Sequence, residues 1–278
     1  MKKIAIVGGG IAGSSIALYL SELGVDVTLF EKKESLVDGP PICHLHAGGN
    51  LYREISDEQC LTLLKESIEL VQLYPCAVDF RPTVIAVPTD DGGEPEDLFK
   101  RLQMLKDEYT RLIDEDITNR VLGSADDYYK VFDRDMVEAL KLRDTLEKPV
   151  TLDEWMIPVI KNIDLDKVKF PLIMVQEYGL NIFRLAASVT LALESISNAH
   201  VLLRTVVTDI KREENSYTLK YKQNESEEEA KFDYLINAAG FKSGEIDDML
   251  GFKRDRFVEF KAAYVTKWKN DEVWPELI

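Results

Sequence analysis

Cysteine, basic charge and long apolar runs are all scarce in this sequence. Its three cysteines, Cys43, Cys60 and Cys76, show no CxxC spacing, so neither a disulfide framework nor a metal site is predicted, and a reducing, cytoplasmic compartment is the simpler interpretation. The net charge of −16 disfavours duplex nucleic acid and anionic bilayers as partners. No segment reaches the about eighteen apolar residues of a membrane span, which predicts a soluble product.

Residues 4–31, by contrast, carry an informative pattern, IAIVGGGIAGSSIALYLSELGVDVTLFE. It predicts a strand, a glycine turn, a helix, a second strand and a terminal acid, the unit that binds the ADP half of a dinucleotide. Gly8 permits the tight turn, Gly10 lets the backbone approach a pyrophosphate, and Gly13 lets the helix lie close to the strand. The helix N-terminus then offers unpaired N–H groups to the phosphates.

Glu31 ends the second strand, near the position expected of the acid that accepts hydrogen bonds from an adenosine ribose. A carboxylate there repels a 2′-phosphate, although the adjacent Lys32 and Lys33 leave room for NADP. FAD and NAD are both compatible with this unit. The alternative, an ordinary βαβ turn that binds nothing, does not account for three small residues at three steric positions followed by an acid.

Four further elements are predicted from periodicity and turn residues. A capping box at Ser56–Gln59 opens a helix over residues 56–73, and residues 78–87 have the pattern of a strand. Residues 96–148 are interpreted as a helical insertion with a solvated acidic face. Residues 225–229 are expected to form the tip of a hairpin.

Four segments, in this order, resemble the FAD-dependent oxidoreductases of the D-amino acid oxidase type, which include glycine oxidases, sarcosine oxidases and 2-hydroxy acid oxidoreductases. They are GGGIAG with Glu31, HLHAGGN at 44–50, TVVTDI at 205–210 and NAAG at 237–240. The resemblance implies an α/β fold in which a Rossmann-like FAD-binding domain, with a parallel sheet and a β-meander, is joined to an incomplete α+β substrate domain. The expected bounds are 1–77 and 175–250 for the FAD-binding domain and 78–174 and 251–278 for the substrate domain.

The resemblance also implies FAD as the cofactor. The flavin would take a hydride from an amine- or hydroxyl-bearing carbon of a small amino or hydroxy acid. It implies no particular electron acceptor. The residues expected to bind FAD, with Val207 contacting adenine through its backbone, are Gly8, Gly10, Ile11, Ala12, Gly13, Glu31, Lys32, His46, Ala47, Gly48, Gly49, Val207, Ala239 and Gly240.

The HLHAGGN segment departs from the common family pattern, because Leu45 and His46 stand where most members have Arg and Asn. His46-Ala47-Gly48 is also similar to the His-Ala-Ala of dimethylglycine dehydrogenase-like members, whose histidine is bonded covalently to flavin. Noncovalent packing of His46 at the flavin edge is the alternative. His44 or His46 could accept a hydroxyl proton, and Arg53 or Arg81 could pair with a substrate carboxylate.

The C-terminal segment has a predicted strand at 257–268 and an apolar end, Leu277-Ile278. Family members continue with further substrate-domain strands and a late glycine-rich turn at the flavin ring. We therefore expect a chain that holds the ADP portion of FAD but lacks part of the flavin-ring site, so that its activity is doubtful. Two other classes stay open, an NAD-dependent dehydrogenase and a nonenzymatic dinucleotide-binding or truncated interaction protein.

Overall fold

The computed structural model describes residues 2–39, 42–45, 55–224, 226–252, 255 and 273–277, with the backbone alone for 42–44 and 276. The chain divides into two compact units. The first comprises residues 1–41 and 182–265, and the second comprises residues 42–181 and 266–278.

Helices and strands alternate along much of the chain. The helices are α1 (Ile11–Glu22), α2 (Asp57–Leu73), α3 (Phe99–Glu115), α4 (Arg134–Lys141), α5 (Leu152–Asn162), α6 (Ile182–Glu194) and α7 (Ser243–Met249). The strands are β1 (Lys3–Val7), β2 (Asp26–Phe30), β3 (Ile42–His44), β4 (Val78–Asp79), β5 (Thr83–Ile85), β6 (Tyr129–Phe132), β7 (Leu172–Val175), β8 (Gly179–Asn181), β9 (Ala199–Leu202), β10 (Thr205–Arg212), β11 (Tyr217–Gln223), β12 (Ser226–Phe232), β13 (Tyr234–Asn237) and β14 (Glu276–Leu277).

The first unit is built on a parallel sheet with the strand order β13-β1-β2-β9. Ala5 and Ile6 of the central strand β1 are fully buried, as expected of a parallel strand covered on both faces. Helix α1 makes the crossover between β1 and β2, and it packs against α6. The carboxyl ends of β13, β1 and β2 therefore meet at one edge of the sheet.

An antiparallel β-meander, β10-β11-β12, packs against this sheet. Phe30 at the end of β2 contacts two meander rings edge-to-face, Tyr221 at 5.0 Å and Phe232 at 5.8 Å between ring centroids. Val207 and Ile246 of α7 belong to the same apolar core. The parallel sheet and the meander confirm the predicted Rossmann-like fold.

The second unit contains two sheets, ordered β14-β5-β7-β6 and β3-β8-β4. Residues of α2 and α3, such as Leu64 and Leu105, form one apolar core, while residues of α5 and β7, such as Met156 and Leu172, form another. This unit therefore has the mixed α+β character expected from the sequence. Within the described ranges, no helix is long and apolar enough to cross a bilayer.

The predicted helix at 56–73 is confirmed by α2, whose cap is the expected box. Ser56 Oγ accepts from the N–H of Gln59 at 3.2 Å, and Gln59 Oε1 accepts from the N–H of Ser56 at 3.1 Å. The helical insertion at 96–148 was only partly correct, because β6 lies between α3 and α4.

Two strand predictions were wrong. Residues 78–87 do not form one strand, because β4 and β5 belong to different sheets and the chain leaves the strand conformation before Pro82, which cannot donate to a ladder. The predicted hairpin tip at 225–229 is also wrong, since residues 226–229 lie within β12 and pair with β11, beginning with Ser226 opposite Gln223. The predicted strand at 257–268 lies outside the described residues.

Candidate dinucleotide-binding site

A cavity of about 460 Å³ lies at the carboxyl edge of the parallel sheet in the first unit. Its volume is in the range of small-molecule sites, and open α/β sheets bind ligands at this edge. The glycine turn, the end of β2, the start of β10 and the segment after β13 all contribute to it. Its lining residues are Val7, Gly8, Gly10, Phe30, Glu31, Lys32, Lys33, Asp38, Thr205, Val206, Val207, Ala238, Ala239, Gly240, Phe241, Lys242, Glu245, Ile246 and Met249.

The glycine turn is tightly packed on one side and open on the other. Gly8 has a φ of 107°, and a Cβ on it would lie 2.4 Å from the oxygen of Ala238. A Cβ on Gly13 would lie 1.9 Å from the oxygen of Gly8. No heavy atom of the described residues lies within 4 Å of a Cβ built on Gly10, which lines the cavity. A side chain could therefore be added at Gly10 but not at Gly8 or Gly13, and the space beside Gly10 is open to a ligand.

The N-terminus of α1 begins directly after Gly10. Its first helical bond runs from the N–H of Ser14 to the oxygen of Gly10 at 2.9 Å. The N–H groups of Ile11, Ala12 and Gly13 have no acceptor within the helix, and the positive end of the helix dipole lies beside them. Together with the open space at Gly10, this arrangement fits the phosphates of the ADP half of FAD.

Glu31 is buried at the end of β2 and faces the same cavity. Its Oε2 accepts from the N–H of Gly9 at 2.6 Å, and its Oε1 accepts from the N–H of Lys33 at 2.7 Å. A carboxylate has about four acceptor positions, so two remain after these bonds. The acid is therefore fixed by backbone and retains the capacity to accept from ribose hydroxyls.

The opposite wall of the cavity comes from the meander and from the residues after β13. Val207 is buried on β10, and the register with β11 shifts between Val207 and Asp209. Such a bulge releases backbone groups from the ladder at this point. Ala239 follows β13, and Gly240 has a φ of 59° that turns the chain towards α7.

Charged side chains at the cavity are largely paired with one another. Lys33 Nζ lies 2.5 Å from Asp38 Oδ2, and this hydrogen bond raises the pKa of Lys33. Lys242 Nζ lies 2.6 Å from Glu245 Oε1.

The structure brings together many of the sequence-predicted cofactor residues, namely Gly8, Gly10, Glu31, Lys32, Val207, Ala239 and Gly240 in the lining, and Ile11, Ala12 and Gly13 at the adjoining helix start. His46, Ala47, Gly48, Gly49 and Arg53 lie outside the described residues. Of the catalytic candidates, Arg81 is described just after β4 in the second unit, where its N–H donates to the oxygen of Asp79 at 2.7 Å, and His44 is described by its backbone alone. It lies in β3 of the second unit, paired with Gly179.

Sequence reasoning missed several lining residues, among them Val206, Phe241, Lys242, Glu245, Ile246 and Met249. A signal for the last four was present. They follow NAAG directly, and Lys242, Glu245, Ile246 and Met249 recur at helical spacing. The predicted motif ends at Gly240, whereas the residues that line the cavity continue through α7.

The fold and the cavity define an α/β protein with a dinucleotide-type site, and the comparisons with known proteins specify its family. Residues 3–148 match the family model described as FAD dependent oxidoreductase. The chain belongs to this family of FAD-dependent oxidoreductases, which confirms FAD as the cofactor over the NAD alternative.

Sequence relatives and solved structures agree with the family. The chain is 30% identical over 118 residues to the FAD-dependent monooxygenase esdpE of Penicillium shearii, covering 41% of this chain and 24% of that protein. L-proline dehydrogenase from P. horikoshii matches with a TM-score of 0.56 and 18% identity, over 91% of this chain and 57% of that chain. Glycine oxidase from Geobacillus kaustophilus matches with a TM-score of 0.51 and 16% identity, over 90% and 59%.

The TM-scores show that the two structures share the fold of this chain, and at these low identities the likeness concerns the fold alone. The chain spans less than two thirds of the length of each of these three proteins.

Proposed function

We propose that the cavity at the carboxyl edge of the parallel sheet binds the ADP half of FAD, in a protein that oxidises a small amino or hydroxy acid. The observation that carries the proposal is the joint placement of Gly10, the α1 N-terminus and Glu31 around one cavity. Phosphates would lie at the open side of Gly10, and the ribose hydroxyls would donate to Glu31. Adenine would lie against Val207.

FAD supplies the redox chemistry, since its isoalloxazine ring accepts a hydride from a carbon that bears an amine or a hydroxyl. The residues of this chain would bind and orient the cofactor. Because the ribose acid is held by two backbone N–H groups, it would present fixed acceptors to the ligand. Pre-organisation of this kind lowers the cost of ordering a site on binding.

The substrate class is supported by likeness in fold to proteins whose names specify proline dehydrogenation and glycine oxidation. On sequence grounds we retain His44 or His46 as the base that would take a hydroxyl proton, and Arg53 as the partner of a substrate carboxylate.

The same proposal includes the division of the chain into two domains. The FAD domain would comprise 1–77 and 175–250, and the substrate domain 78–174 and 251–278. The proposal also includes a cytoplasmic location, for which the cysteine pattern is the support.

The first experiment is spectroscopic. Purified protein should be yellow, and acid denaturation should release the flavin into solution. Flavin that stays with the precipitate would instead support a covalent bond to His46. Colourless protein that binds neither FAD nor ADP would contradict the proposed site.

The second experiment concerns the reaction. Under anaerobic conditions, a panel of amino acids and 2-hydroxy acids is mixed with the protein, and the loss of flavin absorbance is followed. An amino or hydroxy acid that bleaches the flavin absorbance identifies the substrate class. If FAD binds and no member of the panel bleaches it, the chain would be a nucleotide-binding protein without this activity.

A second candidate, monooxygenation, is favoured by the sequence match to esdpE. Flavin monooxygenation draws its electrons from a reduced nicotinamide and consumes oxygen. Adding NADH or NADPH to the protein under anaerobic conditions separates the two candidates. The nicotinamide alone would reduce and bleach the flavin only in a monooxygenase.

A further inference from the structure

Lys242 and Glu245 form an ion pair on the wall of the cavity that sequence reasoning did not assign. Lys242 Nζ lies 2.6 Å from Glu245 Oε1, and both residues line the cavity. The Lys242 side chain is 39% exposed and that of Glu245 is 61% exposed. Ion pairs as exposed as this one contribute little to stability, so the ammonium can change partners at small cost.

The position of Lys242 relative to the glycine turn follows from the backbone. A Cβ on Gly8 would lie 2.9 Å from the Cα of Ala239, so the segment after β13 touches the turn directly. The N–H of Lys242 donates to the oxygen of Ala239 at 3.1 Å, which keeps Lys242 one turn away from that contact. Lys242 therefore lines the same cavity as Gly8 and Gly10, within one turn of the segment that contacts Gly8.

The other lysines of the cavity approach from elsewhere. Lys32 and Lys33 follow Glu31 at the end of β2, and β2 and β13 flank β1 on opposite sides. They are therefore placed beside the ribose acid, and Lys33 is held by Asp38. Of the three lysines, Lys242 is the one that follows β13, on the side of β1 opposite to the ribose acid.

We propose that Lys242 binds the pyrophosphate in this site, and that Glu245 holds its ammonium without ligand and competes with the phosphates for it. The inference rests on the proposed placement of the ADP half in the cavity. Its physical basis is charge. The protein carries a net charge of −16, so an anionic ligand gains from a local cation, and an ammonium–phosphate hydrogen bond is stronger than a neutral one.

The test measures the affinity of the flavin-free protein for ADP and for adenosine by calorimetry. Lys242→Met should weaken ADP binding about ten-fold, as expected for the loss of one charge-assisted hydrogen bond, and should leave adenosine binding unchanged. Lys242→Arg keeps the cation and should retain most of the ADP affinity. Thermal unfolding of each variant shows that the fold is intact.

Glu245→Gln should tighten ADP binding by roughly three-fold, because the ammonium is released. In the Lys242→Met background the same change should have no effect. A tightening that persists in this background would show simple charge repulsion and overturn the competition. Glu227→Gln, which removes an equal charge from the β11–β12 hairpin outside the cavity, should leave ADP affinity unchanged.

The role of Lys242 and the placement of the ADP half can be overturned separately. If the unmodified protein binds ADP and Lys242→Met binds it equally well, the role of Lys242 is overturned and the site stands. If the unmodified protein binds FAD but FAD is not displaced by ADP, the placement of the ADP half is overturned and the role of Lys242 with it.

Discussion

The amide nitrogen of Gly9 donates a hydrogen bond of 2.6 Å to Oε2 of Glu31, which ties the acid at the end of β2 to the turn at the end of β1. The other carboxylate oxygen accepts from the N–H of Lys33 at 2.7 Å. The bond from Gly9 is buried, and the bond from Lys33 is partly buried. The acid assigned to the ribose is thus also a structural link between two strand ends.

Glu31→Gln is therefore expected to destabilise the protein as well as weaken nucleotide binding. A glutamine amide has one acceptor oxygen, so one of the two backbone donors loses its partner. The free energy of unfolding should fall by about 1–3 kcal/mol, measured by urea denaturation. Glu34→Gln serves as the control, because Glu34 is exposed and its pair with Arg204 lies at the surface. The control should stay within about 0.5 kcal/mol of the unmodified protein.

Alanine at two glycines of the turn should separate folding from binding. Gly13→Ala places a Cβ 1.9 Å from the oxygen of Gly8, so we expect a loss of about 3 kcal/mol or more of stability. Gly10→Ala meets no heavy atom of the described residues within 4 Å, so the fold should remain, at a cost of about 1 kcal/mol at most for the poorer N-cap. The added methyl group would occupy the phosphate position.

Thermal unfolding and FAD titration of both variants provide the measurement. Gly10→Ala should have nearly the melting temperature of the unmodified protein and a much weaker FAD affinity. Unchanged FAD affinity in this variant would place the phosphates elsewhere.

The nucleotide-binding half of the fold could be predicted because its determinants are local. Gly8, Gly13 and Glu31 all lie within residues 4–31, and each has a steric or electrostatic requirement that its residue type reveals. The helical spacing of Lys242 and Ile246 is also local, but their place on the cavity wall is not. These residues reach the cavity because β13 pairs with β1 in parallel, a contact between residues more than 200 positions apart.

The predicted strand boundaries were wrong for a related reason. The run at 78–87 is apolar enough for one strand, yet β4 pairs with β8 and β5 pairs with β7. The choice between these partners depends on tertiary packing rather than on the pattern of the run itself.

The assignments of His44, His46 and Arg53 rest on the resemblance and stay predictions.

Two buried tyrosines in the second unit should respond oppositely to the loss of their hydroxyl groups. Tyr109 OH accepts from the N–H of Leu122 at 2.9 Å and donates to the oxygen of Gly123 at 3.0 Å. Tyr128 OH is fully buried and has no hydrogen-bond partner among the described residues. Tyr109→Phe should therefore cost about 1–3 kcal/mol, because a buried backbone donor is left unsatisfied.

Tyr128→Phe, by the same reasoning, should leave the free energy of unfolding unchanged or raise it, since no bond is lost and a polar group leaves the core. The rings of the two tyrosines lie 5.6 Å apart between centroids, so each variant is the control for the packing of the other. Urea denaturation of both gives the comparison. A loss above about 1 kcal/mol in Tyr128→Phe would mean that its hydroxyl has a partner in solution.

Acid sensitivity should come in part from Glu108 on α3. Its hydrogen bond with the Arg111 guanidinium lowers the pKa of the carboxyl from 4.5 to about 2, with a further contribution from Lys65 and some opposition from burial. Because the folded pKa lies below the unfolded one, the stabilisation is complete above about pH 4.5 and is lost as the pH falls towards 2.

Glu108→Gln cannot titrate. It should be less stable than the unmodified protein near neutral pH, and the difference should shrink through this window. Urea denaturation at several pH values measures it, with Glu69→Gln, an exposed carboxylate of α2, as the control. A constant difference between the two proteins from neutral pH to about pH 3 would show that Glu108 is not coupled to acid unfolding.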